Sequence, residues 1–203
     1  HSKAQATSAA QGHCAGPTKR WACSTKSWLA LASACSKVKP RVSPRGRAGS
    51  ARSSCSTRAW PRHTRRADAL QYVFGYTILN DVTARDLQTA HKQFHIGKSL
   101  DGCCPIGPWI VTADAIADPH ALRITACVNG ELRQDSAAET MTFDIPAIIE
   151  ILSRTMTLLP GDIIATGTPS GVGFARKPPV FLRPGDVVEC DIDGIGAIRN
   201  RFV

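Results

Sequence analysis

The chain has 203 residues, which is enough for one domain with a buried core that needs no disulfide cross-links. Its formal net charge of +9 is uneven. Residues 1–66 contain no Asp or Glu and carry 14 of the 25 Lys and Arg, whereas the remainder carries 11 basic and 16 acidic residues. The basic part lacks the aromatic interleaving of single-strand binders and any zinc-finger or helix-turn-helix pattern, so we expect no nucleic-acid partner. No apolar run approaches the roughly 20 residues of a transmembrane helix, so we expect no membrane partner.

The eight cysteines indicate reduced thiols rather than a zinc ribbon, because no two of them have C-x-x-C spacing. This favours an intracellular protein. Cys103 and Cys104 are adjacent, and a buried structural role is favoured over a nucleophilic one, since no partner base is evident nearby.

Residues 1–66 show no lasting hydrophobic period, and we expect them to lack secondary structure. Three explanations stay open: a disordered tail, a transit peptide rich in Arg and Ser, or a segment read out of frame. We therefore predict a segment 1–66 and a folded domain 67–203.

The folded part begins with residues 72–79, whose β-branched and aromatic side chains predict a buried strand. Thr83 is predicted to cap a helix that runs through about Lys92. Residues 109–112 predict another strand. Alternation in residues 122–128, followed by Asn129-Gly130 and residues 131–134, predicts a hairpin, because both turn positions need a positive φ.

The second half combines one helix with repeated turns. Asp144 and Pro146 are predicted to open the helix, with an apolar stripe of Ile148, Ile149, Ile151 and Leu152. Pro-Gly-Asp occurs at residues 160–162 and 184–186, each time directly before a predicted strand. Gly194 and Gly196 separate the last strand pair. The sum is a β-rich α+β domain with few short helices.

Candidate site residues cluster after the first strand. Asp81 is placed to bind a hard cation, although capping of the helix or an ion pair with Arg85 is the commoner role for an aspartate in this position. Arg85 and Gln88 lie three residues apart on one helix face, and an arginine can bind a carboxylate bidentately. Lys98, in a glycine loop, could neutralise a developing enolate or be an ordinary surface lysine.

Residues 166–173 form a second candidate, a loop dense in glycines and hydroxyls that suits a carboxylate or phosphate, or is simply a structural turn. The histidines at 91, 95 and 120 have no recognisable metal-ligand spacing.

Eight motifs follow one another along the chain, at residues 75–77, 80–86, 97–99, 105–108, 128–131, 160–162, 166–173 and 184–186. Together they resemble the C-terminal catalytic domain of the fumarylacetoacetate hydrolase family. The resemblance implies a mixed β-roll, a homodimer, a site with Mg²⁺, Mn²⁺ or Ca²⁺, and hydrolysis, decarboxylation or tautomerisation of small oxo-acids.

The resemblance also assigns roles. It implies that Asp81 is a metal ligand, that Lys98 stabilises the enolate, that Arg85 and Gln88 contact the substrate, and that Thr168 binds its carboxylate. Residues 177–182 resemble the subgroup that includes mitochondrial oxaloacetate tautomerases, so we expect a mitochondrial or cytoplasmic location.

The chain departs from the family pattern in a way that raises an alternative to the enzyme hypothesis. The family supplies two further ligands from an upstream Glu-x-Glu, and residues 1–66 contain no Glu. Residues 52–55 lie where that motif is expected and are compatible with a shifted reading of it. The family's lid, with its His-Glu pair, is not recognisable either. We therefore expect weak or no activity, and a non-catalytic, dimerising fragment remains the second hypothesis.

Overall fold

The computed structural model describes residues 23–24, 27–33, 62–92 and 94–203. In these ranges ten strands are present: β1 (Cys23–Ser24), β2 (Ser27–Ser33), β3 (Val73–Asn80), β4 (Thr83–Ala84), β5 (Ile106–Thr112), β6 (Arg123–Val128), β7 (Glu131–Ala137), β8 (Ile163–Ala165), β9 (Val187–Ile192) and β10 (Gly196–Arg201). The helices of the same ranges are α1 (Arg85–His91) and α2 (Ile145–Thr155), with 3-10 turns at Arg66–Tyr72, Ile96–Lys98, Ala113–Ala115, Ala138–Thr140 and Gly173–Ala175.

Two four-stranded sheets dominate the fold. Their strand orders are β5-β3-β2-β8 and β10-β9-β6-β7, while β1 and β4 form a short ribbon beside them. The predicted β-rich α+β class is confirmed. The family resemblance implies a mixed roll, whereas every pairing among the described strands is antiparallel.

One cluster of buried side chains joins the two sheets. Tyr76 and Ile78 of β3 belong to the same apolar core as Val188 and Ile192 of β9. Seven of the eight residues of β3 are buried, which is typical of a strand with a neighbour on each edge and packing on each face. This strand ends at Asn80 and therefore delivers Asp81 to a fixed place beside the core.

The turn predictions are confirmed in detail. Asn129 and Gly130 join β6 to β7 with φ of 53° and 82°, as a two-residue hairpin requires. The two Pro-Gly-Asp turns share one geometry. In each, the aspartate carboxylate accepts a backbone N–H three residues earlier, at 2.6 Å for Asp162 and 2.7 Å for Asp186.

Helix α2 begins where its sequence predicts. The Asp144 carboxylate accepts the backbone N–H of Ala147 at 2.8 Å. The predicted apolar stripe is partly wrong, because Ile151 is exposed and the buried positions are Ile145, Ile149 and Ser153. The stripe begins one turn earlier because Ile145 itself packs into the core.

The predicted cap of α1 is wrong. The helix begins at Arg85, and its N-cap, Ala84, makes no side-chain cap bond. Thr83 instead pairs with Ser24 in the β1–β4 ribbon, and its hydroxyl donates to the carbonyl of Asp81 at 3.3 Å. Pairing with β1 holds Thr83 in the extended conformation, one residue too early to act as the cap.

Residues 1–66 contain secondary structure, contrary to the expectation. Strand β2 lies between β3 and β8, so it is an interior strand of its sheet. Residues 52–55, where the Glu-x-Glu motif is expected, lie outside the described residues, and the boundary at residue 66 stays a prediction. In the described ranges no helix has the length and hydropathy needed to cross a bilayer.

Candidate functional site

Asp81 and Lys98 form an ion pair at the end of β3. The Lys98 ammonium contacts the Asp81 carboxylate, with side chains only 24% and 10% exposed. A pair this sheltered is less screened by solvent than a surface pair, so it holds the Lys98 side chain in place more firmly. The sequence offers Arg85 as the ion-pair partner of Asp81, whereas the structure shows Asp81 paired with Lys98, and the N-cap of α1 makes no side-chain cap bond.

A glycine lets Lys98 reach this position. A side-chain carbon at Gly97 would lie 2.8 Å from the carbonyl oxygen of Ala84 and 2.9 Å from the Gln88 side chain. The turn Ile96–Lys98 therefore packs directly against the first turn of α1, and only glycine permits this contact.

Arg85 and Gln88 meet on one face of α1, as their spacing predicts. An Arg85 guanidinium nitrogen donates to the Gln88 side-chain oxygen at 2.7 Å. The Arg85 guanidinium also lies 5.1 Å from the centre of the Phe174 ring, a cation–π distance. Arg85 is nine-tenths buried, so these contacts fix the direction in which its remaining N–H groups point.

These residues line an open cleft of about 560 Å³, formed by Arg85, Gln88, Thr89, Lys92, Phe94, Lys98 and Phe174. Three of the lining side chains are cations and none is acidic, although one cation, Lys98, is paired with Asp81 behind the lining. Low-dielectric walls beside such charges concentrate the positive potential, which suits a small anion. Sequence reasoning missed Phe94 and Phe174, because an exposed aromatic in a loop carries no periodic signal.

Thr168 lies on a different segment of the chain from the other predicted site residues. Its hydroxyl accepts a hydrogen bond from the Gln134 side-chain nitrogen at 3.0 Å, and it is not among the residues that line the cleft. The structure thus brings Asp81, Arg85, Gln88 and Lys98 together and places Thr168 on the neighbouring loop. The substrate-binding role of Thr168 stays a prediction. Gln134, which sequence analysis did not single out, is buried on β7.

The pKa of Cys104 is affected by the charged pair beside the cleft. Burial raises the pKa of its thiol, the Asp81 carboxylate raises it further, and the Lys98 ammonium lowers it. Cys103 is buried and Cys104 is exposed, so the structural role predicted for the pair fits Cys103 better.

The described residues do not by themselves hold a divalent ion. Across the described ranges no group of three His, Cys, Asp or Glu side chains is close enough to do so. Asp81 supplies one carboxylate, which already contacts Lys98. Neighbouring Asn80 is buried, and both polar atoms of its amide lack a hydrogen-bond partner. A complete metal site therefore needs ligands beyond this part of the chain.

Comparison with known proteins shows which family and which characterised proteins this chain is similar to. The protein-family model described as "Fumarylacetoacetate (FAA) hydrolase C-terminal" matches residues 57–203 of this chain. Oxaloacetate tautomerase YisK of Bacillus subtilis is 57% identical over 137 residues, which are 68% of this chain and 46% of that protein. The mitochondrial oxaloacetate tautomerase Fahd2a of Rattus norvegicus is 49% identical over 143 residues, covering 70% of this chain and 46% of that protein.

A solved structure adds a bound metal. The maleylpyruvate hydrolase of Sphingobium sp. SYK-6, in complex with manganese(II) and pyruvate, is 33% identical. Its TM-score is 0.68, and the match covers 89% of this chain and 54% of that one. The chain spans about half the length of the curated relatives that it matches.

Proposed function

Because the chain belongs to the fumarylacetoacetate hydrolase family, we propose that its cleft binds a small 2-oxo-acid or β-diketo acid and stabilises the enolate. The reaction would be that of a metal-dependent hydrolase, lyase or tautomerase of the acylpyruvate or oxaloacetate type. The observation that carries the proposal is the meeting of Lys98, Arg85 and Gln88 in one cationic cleft. The tautomerase names of the relatives support oxaloacetate as the first substrate to test.

The charges of the cleft match this chemistry. Lys98 places a fixed positive charge where the enolate oxygen would develop negative charge, and the Asp81 carboxylate holds that ammonium in position. Arg85 is oriented by Gln88 and Phe174, so it can bind the substrate carboxylate without first losing conformational freedom. We propose Thr168 as a second donor to that carboxylate.

A divalent ion, Mg²⁺ or else Mn²⁺ or Ca²⁺, is the proposed cofactor of the complete site. Such an ion chelates a 2-oxo-carboxylate and polarises its carbonyl. Asp81 would be one ligand, and the remaining ligands would come from outside the described residues. The manganese bound in the related hydrolase supports a divalent ion without choosing which one.

The alternative function is a catalytically inactive chain that at most dimerises. It is favoured by the single carboxylate at the described site, which is already paired with Lys98. A chain of this kind would still bind an anion in the cleft but would not turn it over, whatever ion is added.

Calorimetry with oxalate, a planar dianion that resembles the enolate of pyruvate, tests binding. We expect oxalate to bind the unsubstituted chain, and Lys98→Met to weaken binding at least about tenfold because one cation of the cleft is lost. The matched control is Lys177→Met, an exposed lysine outside the cleft, which should leave the affinity unchanged. Equal affinity in the Lys98 and Lys177 variants would contradict the assignment of Lys98.

Turnover separates the two functions. Tautomerisation of oxaloacetate can be followed by the absorbance of its enol form, with Mg²⁺, with Mn²⁺ and with a chelator. Metal-dependent turnover supports the enzyme, whereas oxalate binding without turnover under any of these conditions supports the inactive chain.

Assembly and location complete the proposal. We propose a homodimer, to be measured by light scattering on a sizing column. We also propose a mitochondrial or cytoplasmic location, and the name of the rat relative favours the mitochondrion. Fractionation of cells that produce the untagged chain would decide between the two compartments.

A further inference from the structure

Gln134 is the buried polar side chain that supports the loop beside the cleft. It lies on β7 and is only 2% exposed. Its side-chain nitrogen donates to the hydroxyl of Thr168 at 3.0 Å and to the carbonyl of Pro169 at 2.8 Å, with the carbonyl of Ser170 at 3.4 Å. One amide thus holds three successive residues of the glycine-rich loop 166–173.

The chemistry of these partners sets the direction of each hydrogen bond. The carbonyls of Pro169 and Ser170 can only accept, so the nitrogen of Gln134, and not its oxygen, must face the loop. The hydroxyl of Thr168 therefore accepts from that nitrogen. A hydroxyl carries one proton, and the Thr168 proton must then point away from Gln134. Thr168 is thereby prepared to donate a hydrogen bond to an anion.

The backbone of loop 166–173 also packs directly against β7, the strand that carries Gln134. A side-chain carbon at Gly171 would lie 1.9 Å from the carbonyl oxygen of Arg133, so the loop follows β7 at the closest possible approach. Two residues later Gly173 accepts the backbone N–H of Val180 at 2.9 Å, which closes the loop's far end. Phe174 follows directly and contacts Arg85 in the cleft.

We propose that Gln134 is a positioning residue of the 2-oxo-acid site. It turns the Thr168 hydroxyl into a hydrogen-bond donor for the substrate carboxylate, and it seats the loop that carries Phe174 over Arg85. This inference rests on the proposed function, because it assigns Gln134 to the binding of the same oxo-acid.

A double-mutant cycle on oxalate affinity tests this assignment. Gln134→Met keeps the length of the side chain and removes the donor, and Thr168→Val removes the hydroxyl. We expect each to weaken oxalate binding about tenfold or more, and the double variant to bind no more weakly than Gln134→Met alone, because Gln134→Met already removes the hydrogen bond that Thr168→Val removes. Thr168→Ser, which keeps the hydroxyl, should retain the affinity. The control is Gln71→Met, at an exposed glutamine outside the site.

A measurement on the unsubstituted chain covers the case in which Gln134→Met fails to fold. The side-chain amide signals of ¹⁵N-labelled Gln134 should shift when oxalate is added, since their partner Thr168 acquires a new acceptor. Additive losses in the cycle, or amide signals that do not move in an oxalate-saturated sample, would overturn the inference while the proposed function stands. Failure of the unsubstituted chain to bind oxalate at all would overturn both.

Discussion

At the scale of single residues, the thiols of Cys104 and Cys190 show how surroundings set reactivity. Cys190 is fully buried in β9, and burial raises its pKa to about 12. Cys104 is exposed near Asp81 and Lys98, and its pKa is raised chiefly by partial burial. The thiolate is the reactive form, so both pKa and access favour reaction at Cys104.

Alkylation should therefore distinguish these cysteines. With a pKa near 12, the Cys190 thiol is almost wholly protonated at pH 8, and its burial also keeps reagents away from it. We expect iodoacetamide to label Cys104 in the native chain and to label Cys190 only in urea, as measured by peptide mass spectrometry. Labelling of both at equal rates in the native chain would contradict the burial of Cys190.

Gly171 and Gly161 can be compared to measure how much unfolding free energy is lost when a side chain is added to a glycine. Both have positive φ, of 102° and 90°, but a carbon added at Gly171 meets the Arg133 carbonyl, whereas one added at Gly161 meets nothing within 4 Å. We expect Gly161→Ala to cost about 1 kcal/mol in unfolding free energy through backbone strain. Gly171→Ala should cost at least about 1 kcal/mol more and should weaken oxalate binding, because the loop must move. Equal urea midpoints would contradict the close approach.

The four residues that meet at the end of β3 could be predicted from sequence because they lie close together in the chain. Asp81, Arg85 and Gln88 lie on one strand end and the helix after it, and Lys98 follows in the next turn. Phe174 and Gln134 could not be found this way. Their contacts join residues separated by 89 and 34 positions, which no local period or spacing encodes.

At the scale of elements, local chemistry determines some boundaries and tertiary pairing determines others. Asp144 caps α2 as predicted, since both the cap and its N–H partner lie within four residues. Thr83 has the residue type of a cap but pairs with β1, a strand about 60 positions earlier. Sequence reasoning succeeds where the decisive partner is local and fails where it is distant.

The cap of α2 should make stability depend on pH. The Ala147 N–H lowers the pKa of the Asp144 carboxyl, burial opposes this, and Arg66 lowers the pKa further. A lowered folded pKa means that the stabilisation is present above the unfolded pKa, near 4, and is lost as the pH falls through the folded value.

We expect Asp144→Ala to lower the unfolding free energy by about 1 kcal/mol at pH 7, as measured by urea titration. Part of this difference should disappear below about pH 4, because protonation removes the charge-assisted bonds in the unsubstituted chain. Glu139→Ala, at an exposed position in the preceding turn, is the control and should change little at either pH. A difference that grew on acidification would contradict the sign of the pKa shift.

At the scale of the whole molecule, strand β2 completes the sheet that carries Asp81. It pairs with β3 along seven registered positions and with β8 along three. Removing it would expose the backbone groups of both neighbours. The charge and composition of residues 1–66 predict a lack of structure, but at residues 27–33 pairing partners far along the chain override that composition.

Truncation tests the contribution of β2. A chain of residues 62–203 should lose cooperative thermal unfolding or melt well below the full chain, because β3 and β8 lose their common partner. A chain of residues 22–203, which keeps β1 and β2, should melt close to the full chain. Circular dichroism measures both. Equal melting of the two truncated chains would show that β2 adds nothing and would support a domain boundary at residue 66.

The position of β2 also has a consequence for the order of folding. Leu31 pairs with Ile164, a partner more than 130 residues further along the chain. Such non-local pairing slows folding, since a long loop must close before the contact forms. During synthesis β2 emerges well before its partner β8. At about 5–20 residues per second, β8 leaves the ribosome several seconds or more after β2. In that interval the edge of β2 is open to other chains, so production yield should depend on temperature and chaperones more than native stability alone would suggest.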